Sequence, residues 1–188
     1  MDAIELLHNR VSCPALNEPA PTSEQLDIIF KAALRAPDHG AIRPWRFLTV
    51  QGENRNCLGD LFLKAALSGG EELAPERQEK FRKMPLRAPL MIVVIAENKE
   101  HPKVPVLEQE VSAGCAAQNI LHAAHAQGLG AMWRTGDMAY HPVVKEGLGV
   151  SEEETIIGFI YLGTANKMRK APQHDIASFV SDWAGAHE

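Results

Sequence analysis

Stretches whose apolar residues recur every three or four positions alternate along the chain with shorter runs of β-branched and aromatic residues, and the two periods predict its elements. Asp2 can cap a first helix carrying Ile4, Leu7 and Val11 on one face and ending near Cys13-Pro14. Beyond the loop Asn17 to Pro21, the run Thr22 to Gln25 has the form of a capping box, in which threonine and glutamine satisfy orphan backbone donors. Leu26, Ile29, Phe30 and Ala33 then make the apolar face of a second helix, closed before Pro37. Trp45 to Val50 suits a strand, and Asn54 to Leu67 an amphipathic helix stopped by Gly69 and Gly70. Leu90 to Ala96, apolar throughout, reads as a strand buried on both faces.

The charged segment between them, Glu71 to Arg87, has room for a short helix and reads as a mobile lid or insertion. Val106 to Gln127 carries the longest helical pattern, and the small residues at its middle, Ser112 to Ala117, let a neighbouring backbone or a second copy of the helix approach closely. Gly128 and Gly130 break it before a strand at Ala131 to Arg134, a short helix at Val143 to Gly147 and a strand at Thr155 to Leu162. From Gly163 the periodicity fades, and a tail carrying Phe179, Val180 and Trp183 needs a surface to bury them, such as a partner subunit. Helices outnumber strands without alternating regularly, which predicts an α+β fold rather than a doubly wound one. Its 188 residues suit a single domain over 1–188, with a variable charged segment at about 69–88 and a C-terminal tail from about 164.

Composition narrows the partners. A formal charge of −5 and the lack of a long basic run argue against nucleic acid. The run Leu90 to Ala96 is far too short to span a bilayer, so no membrane association is expected. Cys13, Cys57 and Cys115 are odd in number and scattered, which fits a reducing cytoplasm and forms no disulfide or zinc framework.

Several familiar chemistries lack their parts. The turn Gly128-Leu-Gly130 follows a helix and has Trp133 where a dinucleotide fingerprint needs its third glycine. His122 and His125 stand three apart on a helix, but no carboxylate completes a metal set, and no metal is expected. Glu108 and Glu110 fall on different sides of a helix, and Ser112 and Cys115 lack the surroundings of a nucleophile. What remains is a set of three arginines. Arg10, Arg35 and Arg134 can each be read alone as a helix end or an exposed strand residue. Together with Ser12, Thr135, His39 and Trp45 they suit a phosphate attached to a planar ring, since guanidinium forks bind phosphate bidentately. Trp45 itself is expected in the core.

At these residues the chain resembles the FMN-dependent nitroreductase family, in its short, single-domain, YdjA-type branch. The resemblance is carried by Arg10-Val-Ser12, Ala33 to His39, Pro44-Trp45, Gln109 to Cys115, Gln127-Gly128, Trp133-Arg134 and Gly158 to Gly163. It implies an intertwined homodimer of α+β subunits, each with a central mixed or antiparallel sheet flanked by helices. FMN would lie at the dimer interface, held by Arg10, Val11, Ser12, Trp133, Arg134 and Thr135 of one subunit and by Arg35 and His39 of the other. Ala123, Ala124, His125, Ala126, Gln127 and Gly128 would lie near the nicotinamide cofactor, NADH or NADPH. Arg10 would face either the phosphate or the N1 and C2 carbonyl edge of the flavin. The implied activity is ping-pong transfer from NAD(P)H through the flavin to a nitroaromatic, quinone or related small-molecule acceptor, with no side chain acting as nucleophile. Dehalogenation, flavin fragmentation or flavin binding without turnover are the alternatives on the same scaffold. Two departures stand out: Val11 where the family commonly has arginine, and Arg43 where relatives often have Gln or Asn.

Overall fold

The computed structural model describes residues 2–70, 72–167 and 169–185. At its centre lies β3 (Leu90–Ala96), every residue of which is buried. It pairs on one edge with β2 (Trp45–Gln51) and on the other with β5 (Thr155–Ala165). The far edge of β5 receives β4 (Gly130–Arg134) and, beyond its end, the two-residue β1 (Leu16–Asn17). All four pairings are antiparallel, which settles the mixed-or-antiparallel alternative.

Why β3 reads as unbroken apolar sequence is now evident. Alternate side chains point to opposite faces of a strand, so Leu90, Ile92, Val94 and Ala96 enter one core with Ile29, Ala33 and Ile120. Met91, Val93 and Ile95 enter a second with Phe62, Val144 and Phe159, where Phe62 and Phe159 meet edge to face with centroids 5.4 Å apart. Each such side chain stabilises the fold by about 1.5–3 kcal/mol on burial.

The first core is covered by α2 (Ser23–Ala33) and α5 (Val106–Ala126). Thr22 and Gln25 form the expected capping box, and Ile29 and Ala33 are fully buried. Small residues in α5 do pack closely: Ala113, Ala116 and Ala117 have no exposed surface. The second core is covered by α3 (Asn54–Leu67), α6 (Asp137–Tyr140) and α7 (Pro142–Gly147). Within the charged segment, α4 (Pro75–Lys83) and the 3-10 turn Pro85–Arg87 dock on α3. Gly59 makes that approach possible, because a Cβ there would overlap the carbonyl of Arg82. Glu71 of this segment lies outside the described residues, as do Met168 and the last three residues of the tail.

Helix α1 (Ala3–Asn9) is capped by Asp2, whose carboxylate accepts from the amides of Ile4 and Glu5. It ends four residues short of Cys13, because Arg10 already has extended backbone. Ile4 and Leu7 remain 60% and 53% exposed. In the tail, Phe179 and Trp183 are 77% and 89% exposed. Among the described residues no helix is long and apolar enough to cross a membrane.

Candidate functional site

Once α1 ends, the chain runs along the free edge of β4, where the amide of Cys13 donates to the carbonyl of Ala131 at 2.9 Å. This bond ties the end of the Arg10–Ser12 segment to the strand that carries Trp133 and Arg134. Cys13 is buried in the second core and Val11 packs against that core. The side chain at position 11 therefore serves packing.

Arg10 acts on the other side of the sheet, toward the last turns of α5. His122 and His125 both have pKa values held below the ordinary histidine range, first by burial and then by the nearby positive charge of Arg10. His122 meets the side-chain amide of Gln118 at 2.8 Å. His125 is buried and its Nε2 has no hydrogen-bond partner among the described residues. Arg10 has no acidic partner among them either. The result is a cation without counter-charge beside two neutral imidazoles.

Strand β4 divides its side chains between the two faces. Trp133 lies on the α5 face, its indole reaching Gly114 and its Nε1 donating to the carbonyl of Ile157 at 3.2 Å. A Cβ at Gly158 would overlap that indole, so glycine there is what seats the tryptophan. Arg134 lies on the opposite face, its guanidinium 5.7 Å from the centroid of the Tyr161 ring. A cavity of about 380 Å³ opens there, lined by Arg134, Thr135, Arg87, Tyr161, Met84 and Phe159 among others. Tyr161 is buried, which raises its pKa above the ordinary phenol value against the opposing pull of Arg87 and Arg134. Its hydroxyl is thus neutral at pH 7. Arg87 sits in no motif, and Tyr161, although within the stretch Gly158 to Gly163, has no site role assigned by the sequence; the register of β5 and the docking of the 3-10 turn bring them to the cavity beside Arg134.

The third group is remote from both. His39 Nδ1 pairs with Glu108 Oε2 at 2.5 Å, in the first turn of α5, with both side chains about half exposed. Arg35 is exposed and shares a hollow of about 280 Å³ with Asp38, Arg43 and Trp45. Asp38 accepts from the amides of Ile42 and Arg43 at 3.2 and 2.9 Å, and the Lys99 ammonium donates to the Ile42 carbonyl at 2.9 Å. These bonds hold Ala41 and Arg43 at φ of +52° and +49°, an uncommon conformation for side-chain-bearing residues. Trp45 is 8% exposed and belongs to the first core, as expected.

Helix α5 has 21 residues and so spans about 30 Å. Since His39 meets its start and Arg10 acts near its end, a single chain does not bring His39 to Arg10. Of the segment expected near a nicotinamide, Ala123, Ala124 and His125 are buried, whereas Ala126 and Gly128 are exposed. Gln127 donates to the carbonyls of Gln25 and Ala123 at 3.3 and 3.1 Å. Glu110 accepts from the Thr155 hydroxyl at 2.7 Å, whereas Glu108 pairs with His39, so the two carboxylates have different partners.

The model of the nitroreductase family matches residues 7–164. The chain is 47% identical to YdjA of Escherichia coli K12, over 87% of this chain and 88% of the relative, a protein provisionally named an NAD(P)H nitroreductase. Among solved structures, a nitroreductase-like family protein from Bacillus cereus superposes with a TM-score of 0.83 at 24% identity, covering 98% of this chain and 97% of that one. An FMN-dependent nitroreductase from Clostridium difficile R20291 superposes with a TM-score of 0.67 at 26% identity, covering 98% of each chain.

Proposed function

The chain belongs to the nitroreductase family, and from that premise we propose that it is an FMN-dependent oxidoreductase. In this reading it takes hydride from NAD(P)H and reduces nitroaromatic, quinone or related small-molecule acceptors. The observation that carries the proposal is the bond from Cys13, which follows Arg10–Ser12, to Ala131 of β4, the strand that carries Trp133 and Arg134 and leads into Thr135. It ties together positions more than a hundred apart, each next to a segment that the family resemblance assigns to the flavin.

The residues fit such a cofactor. Among the described residues Arg10 has no acidic partner and the nearby buried His125 Nε2 has no hydrogen-bond partner, and Arg134 and Thr135 line a cavity. Arg10 and Ser12 offer a guanidinium fork and a hydroxyl for a phosphate or a ring carbonyl. Packing of Trp133 between Gly114 and Gly158 fixes the wall beside them. The chemistry supplied by bound FMN is hydride acceptance from NAD(P)H and delivery of electrons to the acceptor. The protein binds, orients and excludes water; no nucleophile or general base is required of it. His39 is too far to serve the same subunit's Arg10, and with Arg35 it completes the partner's site in a homodimer.

The test is spectroscopic. Purified protein reconstituted with FMN is expected to show a protein-bound flavin spectrum that bleaches with NADH or NADPH without oxygen and returns on adding a nitroaromatic or quinone. With both substrates varied, steady-state lines are expected to be parallel. A protein that retains no flavin after reconstitution overturns the reading.

A further inference from the structure

Arg87 and Arg134 are half-buried and both line the cavity that Tyr161 also lines, with Arg134 5.7 Å from the Tyr161 ring centroid. Among the described residues neither has a carboxylate partner, although Arg46 pairs with Glu154 and Arg82 with Asp60. Nor does either guanidinium donate a hydrogen bond to any described backbone or side-chain acceptor. Half-burying two like charges together is unfavourable unless something anionic joins them. The remaining walls are apolar, with Met84, Met132 and Phe159 facing the same space. At about 380 Å³ the cavity is within the range of small-molecule sites.

We propose that Arg87, Arg134 and Tyr161 form a clamp for an oxyanion, a phosphate or a carboxylate, carried on a flat apolar body. Guanidinium forks supply paired donors for the oxyanion, and the neutral phenol adds another. The methionines lie against the body, their thioethers suiting an aromatic face. This rests on the flavin reading in one respect: Arg134 and Thr135 belong to both sites, so the oxyanion is either the cofactor's own phosphate or the acidic group of an acceptor reduced beside it. Arg87, delivered by the turn that follows α4, makes the charged segment a determinant of which anions the enzyme accepts.

Calorimetry separates the two sources using Arg87→Ala, with Arg87→Lys to retain charge without the fork and Tyr161→Phe to remove the hydroxyl. If the clamp holds the cofactor phosphate, Arg87→Ala weakens FMN by about tenfold or more and leaves riboflavin unchanged. If it holds an acceptor's acid, FMN affinity is unchanged, while 4-nitrobenzoate binding to the FMN-loaded protein falls by about tenfold or more and 4-nitrobenzamide binding does not. Either pattern, with an unchanged melting temperature and an intermediate Arg87→Lys, supports the clamp. Unchanged discrimination in both pairs overturns it. Failure of the flavin reading is distinct: wild-type protein would then bind no FMN, and the benzoate and benzamide pair titrated into the protein as purified still decides the clamp.

Discussion

Arg10 and its neighbours concentrate the residue-scale argument. A half-buried guanidinium with no acidic partner among the described residues, near two imidazoles that resist protonation, is suited to receive an anion. Arg10→Ala is therefore expected to raise the FMN dissociation constant by roughly tenfold or more, measured by flavin fluorescence titration. Unchanged affinity would remove Arg10 from the site. The same arrangement predicts a pH dependence of stability. His122 and His125 resist protonation in the folded chain, whereas in the unfolded chain they titrate near their ordinary value of 6.5. As pH falls through 6.5 the unfolded chain takes up protons that the folded chain refuses, so stability present above that pH is lost below it. The urea midpoint is expected to decline between about pH 7 and 5, and to decline less in the His122→Gln, His125→Gln double variant. A double variant as pH-sensitive as wild type would refute the assignment. The burial of Trp45 could be read from sequence, because its type carries bulk. The orphaned nitrogen of His125 could not, since it exists only where α5 and the end of α1 are brought together.

Elements were legible where they were long. The capping box of α2, the bounds of α3 and the unbroken run of β3 all follow from local pattern, and each is present. Short elements carry too few residues to show a period: β1 has two and α6 four, and neither was foreseen. The early end of α1 has a tertiary cause, since the Cys13–Ala131 bond draws the chain into extended form before Pro14 can stop it. Removing the α2 cap with Thr22→Ala is expected to cost about 1 kcal/mol in chemical denaturation. A sharper consequence concerns α4. Its contact with α3 depends on Gly59, so Gly59→Ala is expected to push α4 away, costing about 1–3 kcal/mol. Because the following turn carries Arg87, this variant should also open residues 75–83 to limited proteolysis. A cleavage pattern and midpoint identical to wild type would show that the two helices are not coupled through this contact.

At the scale of the whole molecule the chain leaves two features that one subunit does not resolve. Its proposed flavin residues fall into groups at opposite ends of α5, and the helices over the first core keep apolar side chains in solvent. Ile4 and Leu7 on α1, Ile28 on α2, and Val106, Leu107 and Val111 on α5 are all at least half exposed, and α5 contacts both of the other helices. A second copy laid on this side would cover those residues and carry Arg35 and His39 toward the partner's Arg10, so one association accounts for both features. Phe179 and Trp183 of the tail are exposed as well. Sequence showed that the tail's aromatics needed covering, but not that α1 and α5 present apolar faces outward, because periodicity identifies a face without saying what it meets. We therefore expect the wild-type chain to sediment as a dimer at micromolar concentration. Glutamates at Leu107 and Val111 bring charges into the contact that no partner neutralises, which is expected to yield a folded monomer. That monomer should keep a cooperative melting transition yet bind FMN far more weakly, since its Arg35 and His39 no longer reach a flavin. A wild-type monomer that binds FMN as tightly as a dimer would mean that each chain builds its site alone.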